Sequence, residues 1–321
     1  MSDARLFPPL DAYQRGWLPD SRHRAGGASV THRVAYSQWG NPDGQPVLLF
    51  HGGPGSGSGA MQPRLFDPQR YRVIQFDQRG CGASLPGGEL RANRTRHLLA
   101  DAERLRRQLG IDRWLVVGGS WGATLAACYA AAHRDVVAGV VLRGLFLSGR
   151  SDLDWFFGGA AALYPAAWER FAAALPAGPR PIVDRLADAF ADADRSVCEP
   201  LALAWWAWEQ TLGGAVAGDP PSGAALAALI IRYRVQSHYL RRQCWLGEAA
   251  VLDAYRQLAG LPVILIHGSE DAICRPQNAR LAQRALPDSQ LLWAEGAGHD
   301  PFHPAMIGAL QAALDCLPST A

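Results

Sequence analysis

The sequence predicts an α/β fold with a mostly parallel central sheet, helices on both faces and an inserted helical cap. Three observations carry this. Short apolar runs alternate with segments of helical periodicity over residues 46–146 and again over 261–317. Between these blocks, residues 147–250 are rich in tryptophan and alanine, are broken by glycine and proline, and hold no strand-like run. At Gly118-Gly119-Ser120-Trp121-Gly122 a glycine-flanked serine joins an apolar run to an alanine-rich one, which reads as strand, turn and helix. The expected organisation is core over 1–146, helical cap over 147–250 and core again over 251–321.

The elements follow in order. Residues 46–50 (PVLLF) form a buried strand that ends in the loop His51-Gly52-Gly53-Pro54-Gly55, and 71–76 (YRVIQF) form a second strand ended by Asp77-Gln78-Arg79-Gly80. Leu98, Ala102, Leu105 and Leu109 fall at helical spacing with Arg104, Arg106 and Arg107 on the other side, and Gly110 stops that helix. Strand 114–117, the helix after Ser120 and strand 136–142 come next. After the cap come strand 261–267, helix 277–285, strand 290–294 and a last helix over 306–317. Strands that alternate with helices pair in parallel and are covered on both faces.

Composition excludes several classes. With 49% hydrophobic and 19% charged residues the chain is an ordinary globular one, and a formal charge of +2 points to no nucleic-acid or membrane-surface partner. Six cysteines without a C-x-x-C pair suggest neither a disulfide framework nor a zinc site, so no metal and no cofactor are expected. No apolar run approaches the ~20 residues that span a bilayer, and the first residues lack a signal-peptide core. A cytoplasmic protein is expected; composition leaves monomer and small homo-oligomer equally open.

The chemistry centres on Ser120. A serine hydroxyl is a poor nucleophile at neutral pH and needs a base. In α/β-hydrolases a G-x-S-x-G serine is followed in the chain by the acid and then by the histidine. Here Asp271 follows the strand 261–267 and His299 follows the strand 290–294, both at loop positions. Residues just past the carboxyl ends of parallel strands share one sheet edge, so Ser120, Asp271 and His299 are expected to converge. Glu270 competes for the acid role, and His303 and His51 for that of the base. Two backbone N–H groups should form the oxyanion hole: that of Trp121, and that of Gly53, with Gly52 as the near alternative.

His51-Gly52-Gly53-Pro54-Gly55, Asp77-Gln78-Arg79-Gly80-Cys81-Gly82-Ala83-Ser84 and the Ser120 block resemble the signature segments of the proline iminopeptidases, which are α/β-hydrolases. The resemblance runs along nearly the whole chain and includes Ala204-Trp205-Trp206-Ala207-Trp208-Glu209 in the cap. It implies release of N-terminal proline, or a similar small residue, from a small peptide or amide through an acyl-enzyme. In the family the glutamate of the W-x-x-W-E block binds the substrate amine, which here is Glu209; such a charge-assisted hydrogen bond contributes ~1.5–3 kcal/mol. A second family glutamate, in an E-N-H-Y-F block, is replaced in Gln236-Ser237-His238-Tyr239-Leu240 by Gln236, which can accept from the amine but brings no charge. That exchange keeps open an esterase or amidase acting on an uncharged acyl substrate. The acid loop, Ser269-Glu270-Asp271, also departs from the family's R-Y-D. By the same resemblance Gly52 faces the substrate, Phe146 and Tyr164 are candidate ring contacts with core packing the competing role for at least one of them, and Arg143 braces the cap or the floor of the site; Cys274, three residues after Asp271, is either close enough for a thiol reagent to crowd the site or buried and inert.

Overall fold

The computed structural model describes residues 6–25, 28–192, 194–214 and 218–318. The amino-terminal part forms strands β1 (Gln14–Trp17), β2 (Ser21–Ala25), β3 (Ala28–His32) and β4 (Ala35–Gly40). The alternating core then runs β5 (Gln45–Phe50), β6 (Tyr71–Phe76), α1 (Thr95–Gln108), β7 (Trp114–Gly119), α2 (Trp121–Ala132) and β8 (Val137–Arg143). Helices α3 (Arg150–Phe156), α4 (Pro165–Ala174), α5 (Ile182–Ala191), α6 (Arg195–Leu212), α7 (Gly223–Leu240) and α8 (Gly247–Gln257) follow. The chain closes with β9 (Val263–Gly268), α9 (Pro276–Ala285), β10 (Gln290–Ala294) and α10 (Pro304–Cys316).

Eight strands make one sheet in the order β1-β4-β6-β5-β7-β8-β9-β10, while β2 and β3 pair separately. From β6 to β10 every neighbouring pair is parallel; β4 and β1 add an antiparallel edge. Alternation along the strands splits the core into two layers. Leu48, Phe50, Val116 and Leu142 face the helices α1 and α2 and the cap, whereas Val47, Leu49, Val117 and Val141 face α10 through Met306, Leu310 and Leu314. Both faces are covered, which is why β7 and β9 are buried from end to end.

The strand order reverses around β5: the chain passes from β5 to β6 on one side, then crosses back to β7 on the other. Ligand crevices in open α/β sheets form at such a reversal, outside the carboxyl ends of the strands. Here the strand ends at that point are Phe50, which leads into His51-Gly52-Gly53, and Gly119, which leads into Ser120.

Between β8 and β9 the described residues form helices and no strand. Helix α4 packs on α6 and α5 on α7, whereas α8 packs on α2 and α9 of the core. The cap tryptophans are packed within the chain: Trp205 stacks on Tyr233 at 4.3 Å between ring centroids, and Trp208 lies parallel to Phe171 at 6.2 Å. No helix among the described residues is long and apolar enough to cross a membrane.

Candidate active site

Ser120 sits where β7 turns into α2, with φ 58° and ψ −125°. A non-glycine residue in such a region costs ~1–3 kcal/mol and persists only where its surroundings enforce it. Two hydrogen bonds do so: the Ser120 N–H donates to the Arg143 carbonyl at 3.0 Å, and the Ser120 carbonyl accepts from the Ala123 N–H at 2.9 Å. The outer glycines of the motif are required for space. A Cβ on Gly118 would lie 2.1 Å from the Gly122 carbonyl oxygen, and one on Gly122 would lie 2.3 Å from the Phe50 carbonyl oxygen.

Asp271, just past β9, and His299, just past β10, meet beside this turn. His299 Nδ1 lies 2.7 Å from Asp271 Oδ2, while Asp271 Oδ1 accepts from the N–H groups of Ile273 (3.0 Å) and Cys274 (2.8 Å). Burial pushes the Asp271 carboxyl up, but His299 and the other donors outweigh it and hold its pKa below the ordinary aspartate value. Glu270 is exposed, and His299 pairs with Asp271. The two competing histidines are engaged elsewhere: His303 caps α10 through Ala305 N–H, and His51 is buried against Gln78. Ser120 and His299 line the same cavity, with no hydrogen bond between the serine hydroxyl and the imidazole in the substrate-free site. Hydrogen bonds of this kind often tighten only with substrate in place.

A residue that the motifs do not mark supports the acid. His267, the penultimate residue of β9, is fully buried with Nε2 3.7 Å from Asp271 Oδ2. Its Nδ1 accepts from the Leu145 N–H (3.1 Å), so Nε2 carries the proton and donates to the Cys274 carbonyl (2.8 Å). Burial lowers its pKa and keeps the ring neutral. Only its place at a strand end hinted at this; a histidine in an apolar strand has no other signature.

The glycine loop is clamped to the serine turn through Gln78. The Gln78 side chain donates to the His51 carbonyl (2.9 Å) and accepts from the Trp121 indole N–H (2.9 Å), while the Gln78 N–H donates to His51 Nε2 (3.0 Å). Gly53 has φ 114°, and a Cβ there would lie 2.7 Å from the Gly55 nitrogen. Gly52 lies so close to Ser120 that an added Cβ would be 3.6 Å from the Ser120 Cβ. As the first residue of α2, Trp121 has no carbonyl within its own helix for its N–H.

A cavity of about 390 Å³ opens over Ser120 and His299, with Gly52, Gly53 and Arg143 in its wall. Phe146 lines it, as do Phe156 and Phe157, which the sequence reading passes over; Tyr164 is exposed at the start of α4 and does not. Arg143 is a brace: its Nη1 donates to the His299 carbonyl at 3.2 Å, and its guanidinium packs over Gly119, where a Cβ would lie 2.6 Å away. Burial and the nearby Asp271 and Asp152 carboxylates push the Cys274 thiol well above its ordinary pKa, which makes it a poor nucleophile.

Glu209 and Gln236 also line the cavity, but with each other as partners. Glu209 Oε2 accepts from Arg232 Nη2 (2.7 Å) and from the Tyr233 hydroxyl (2.9 Å); Oε1 accepts from Gln236 Nε2 (2.9 Å). Gln236 was expected to accept from a substrate amine. Its Nε2 donates to Glu209, because a carboxylate can only accept, while its Oε1 is buried without a hydrogen-bond partner among the described residues and so is left open as an acceptor.

The sequence profile of the α/β hydrolase fold family matches residues 45–305. The chain is 38% identical to a proline iminopeptidase of Xylella fastidiosa, over 97% of this chain and 98% of the relative. It is 38% identical to one of Neisseria meningitidis (90% and 94%) and 35% identical to one of Arabidopsis thaliana (95% and 80%). Among solved structures it is similar to a Rhodococcus esterase (22% identity, TM-score 0.59, 94% of this chain and 99% of that one). It is also similar to an alpha/beta fold family hydrolase of Bacillus anthracis (16% identity, TM-score 0.60, 94% and 100%). At such identities these two structures speak for the fold alone.

Proposed function

The chain belongs to the proline iminopeptidases of the α/β-hydrolase fold family, and from that membership we propose that it is a serine exopeptidase releasing N-terminal proline from short peptides or amides. The observation that carries the mechanism is the 2.7 Å contact of His299 Nδ1 with Asp271 beside the strained Ser120 turn. With Nδ1 committed to the carboxylate, Nε2 is the atom free to take the Ser120 proton. Ser120 Oγ then attacks the acyl carbonyl, and the N–H groups of Trp121 and Gly53 receive the developing oxyanion. His299 passes its proton to the leaving amine, which departs and leaves an acyl-enzyme. Water then gives a proton to His299 as its oxygen adds to the ester carbonyl; the adduct collapses with cleavage of the bond to Ser120 Oγ, His299 returns the proton to Oγ, and the free acid leaves. Asp271 orients the ring and stabilises its charged form; Arg143 holds the His299 backbone in place. All six cysteines are free, which fits a reducing, cytoplasmic setting.

Hydrolysis of prolyl-β-naphthylamide tests the reading. Turnover that disappears in Ser120→Ala, together with fluorophosphonate labelling lost in the same variant, is the expected result. No prolyl turnover beside good turnover of short acyl esters would overturn the peptidase assignment.

A further inference from the structure

A second cavity, of about 500 Å³, opens beside the antiparallel edge of the sheet and shares no lining residue with the one over Ser120. The segment 56–60 runs between them: Ser56 and Gly57 line the first, whereas Ser58, Gly59 and Ala60 line the second. One face of three neighbouring strands forms the floor. Arg15 of β1 pairs with Ser37 of β4, and Ser37 pairs with Gln75 of β6, so the three side chains stand in a row across the sheet. Trp17 and Trp39, each two residues along its strand from this row, flank it on the same face.

Two groups in the row lack partners in the protein. Gln75 is 1% exposed, and its Oε1 is buried with no hydrogen bond among the described residues. A buried acceptor of this kind needs a donor, which water or a ligand must supply. Arg15 lays its guanidinium over the Trp39 ring, 5.3 Å from the centroid, and has no hydrogen bond or ion pair to another described residue. At the other end of the cavity Asp77 follows β6. Its carboxylate accepts from the Ser58 N–H (2.6 Å) and the Ala83 N–H (2.8 Å), which leaves about two acceptor positions open.

A cation at one end, a carboxylate at the other and an unfilled acceptor between them are the complement of a peptide with both termini free. Two strand spacings and two residues along the sheet separate Arg15 from Asp77, roughly 12 Å between Cα atoms. A free amino acid is too short to meet both. Trp17, which is 44% exposed, and Trp39 offer apolar surface to the side chains that lie between the termini.

We propose that this cavity is a second binding site, for a zwitterionic peptide of about three to four residues, at ~3.3 Å per extended residue. The carboxylate meets Arg15, a backbone N–H donates to Gln75 Oε1, and the ammonium donates to Asp77. Release of one residue from a slightly longer peptide supplies such a ligand, but binding here does not depend on the chemistry at Ser120.

Calorimetric titration of the full chain carrying Ser120→Ala, which prevents turnover, tests this with leucyl-alanyl-leucine as the probe. Saturable binding is expected, weakened about tenfold or more by amidation of the carboxyl terminus and likewise by acetylation of the amino terminus. Arg15 is exposed, so its variants should fold. Arg15→Gln should weaken the free acid about tenfold yet leave the amide within about twofold, and Arg15→Lys should stay within about threefold of the parent. Gln75→Leu should weaken acid and amide alike, by about fivefold. No saturable binding up to about 10 mM peptide overturns the proposal. So does an acid affinity unmoved by Arg15→Gln, because the peptide would then lie over Ser120. Free leucine bound as tightly as the tripeptide overturns it as well, and an unchanged affinity in Gln75→Leu removes the central hydrogen bond on which it stands.

Discussion

Gln78 is the side chain through which the glycine loop and the serine turn share one geometry. Its amide spans the His51 carbonyl and the Trp121 indole, so Gln78→Leu leaves a buried acceptor and a buried donor unpaired, at about 1–3 kcal/mol each. In the proposed mechanism the loop amide at Gly53 would then drift from the place assigned to the oxyanion. We expect kcat and kcat/KM to fall together by roughly tenfold to a hundredfold with KM little changed, the pattern of an interaction made only in the transition state. Steady-state kinetics on prolyl-β-naphthylamide reads this; a raised KM at constant kcat would place Gln78 in ground-state binding instead. At this scale the sequence was informative where chemistry demands a fixed residue type after a strand end, as at Ser120, Asp271 and His299. It was blind to the partners. Nothing in the spacing of Arg232 and Glu209 marks them as a pair, because α6 and α7 meet only through the packing of the cap. His267 is hidden for a similar reason, being one polar residue at the end of an apolar strand.

Among the elements, the turn between β7 and α2 depends most directly on glycine, and two glycines separate its causes. A Cβ on Gly118 meets backbone at 2.1 Å, whereas one on Gly110, at φ 62°, has nothing within 4 Å. Gly110→Ala should therefore cost only the left-handed backbone strain, about 1–2 kcal/mol. Gly118→Ala forces apart the strand end and the start of α2, and should cost more than about 3 kcal/mol or leave the protein insoluble. Urea unfolding of the two variants side by side decides; equal losses would mean that conformation, not space, sets the requirement. The parallel strands β5 to β9 were legible because both of their faces are largely buried and they read as continuous apolar runs, whereas the edge strand β10, with only Ala294 buried, shows as a short apolar run. The strands β1 to β4 were missed. In β4 the buried residues include Ser37 and Gln38, and Gln38 is satisfied by Tyr13 and Arg72 instead of by apolar neighbours. A strand that buries hydrogen-bonded amides carries no hydrophobic period for a sequence reading to find.

The whole molecule carries a common response to acid. Six of the nine histidines (His23, His32, His51, His97, His238 and His267) have pKa values lowered by burial, His97 to about 4. Above the ordinary histidine value of 6.5 these rings are neutral in both the folded and the unfolded chain. Below it the unfolded chain binds protons that the folded one refuses, so stability drains away as pH falls toward 4. The carboxylates add to this only later. Burial pushes Glu103 up, but its bonds to Arg106, Arg107 and Tyr129 win and hold it at about 2; Glu89 is held at about 2 by Arg91. Their contribution is present above the ordinary glutamate value of 4.5 and is lost between there and about 2. Two stages are therefore expected in melting temperature against pH. The first is a fall between pH 7 and pH 5, before any of these carboxylates takes up protons, and the second is a steeper one below pH 4.5. Scanning calorimetry across that range measures both, and a melting temperature that holds level from pH 7 to pH 5 would mean that the buried rings open to water or find acceptors on protonation.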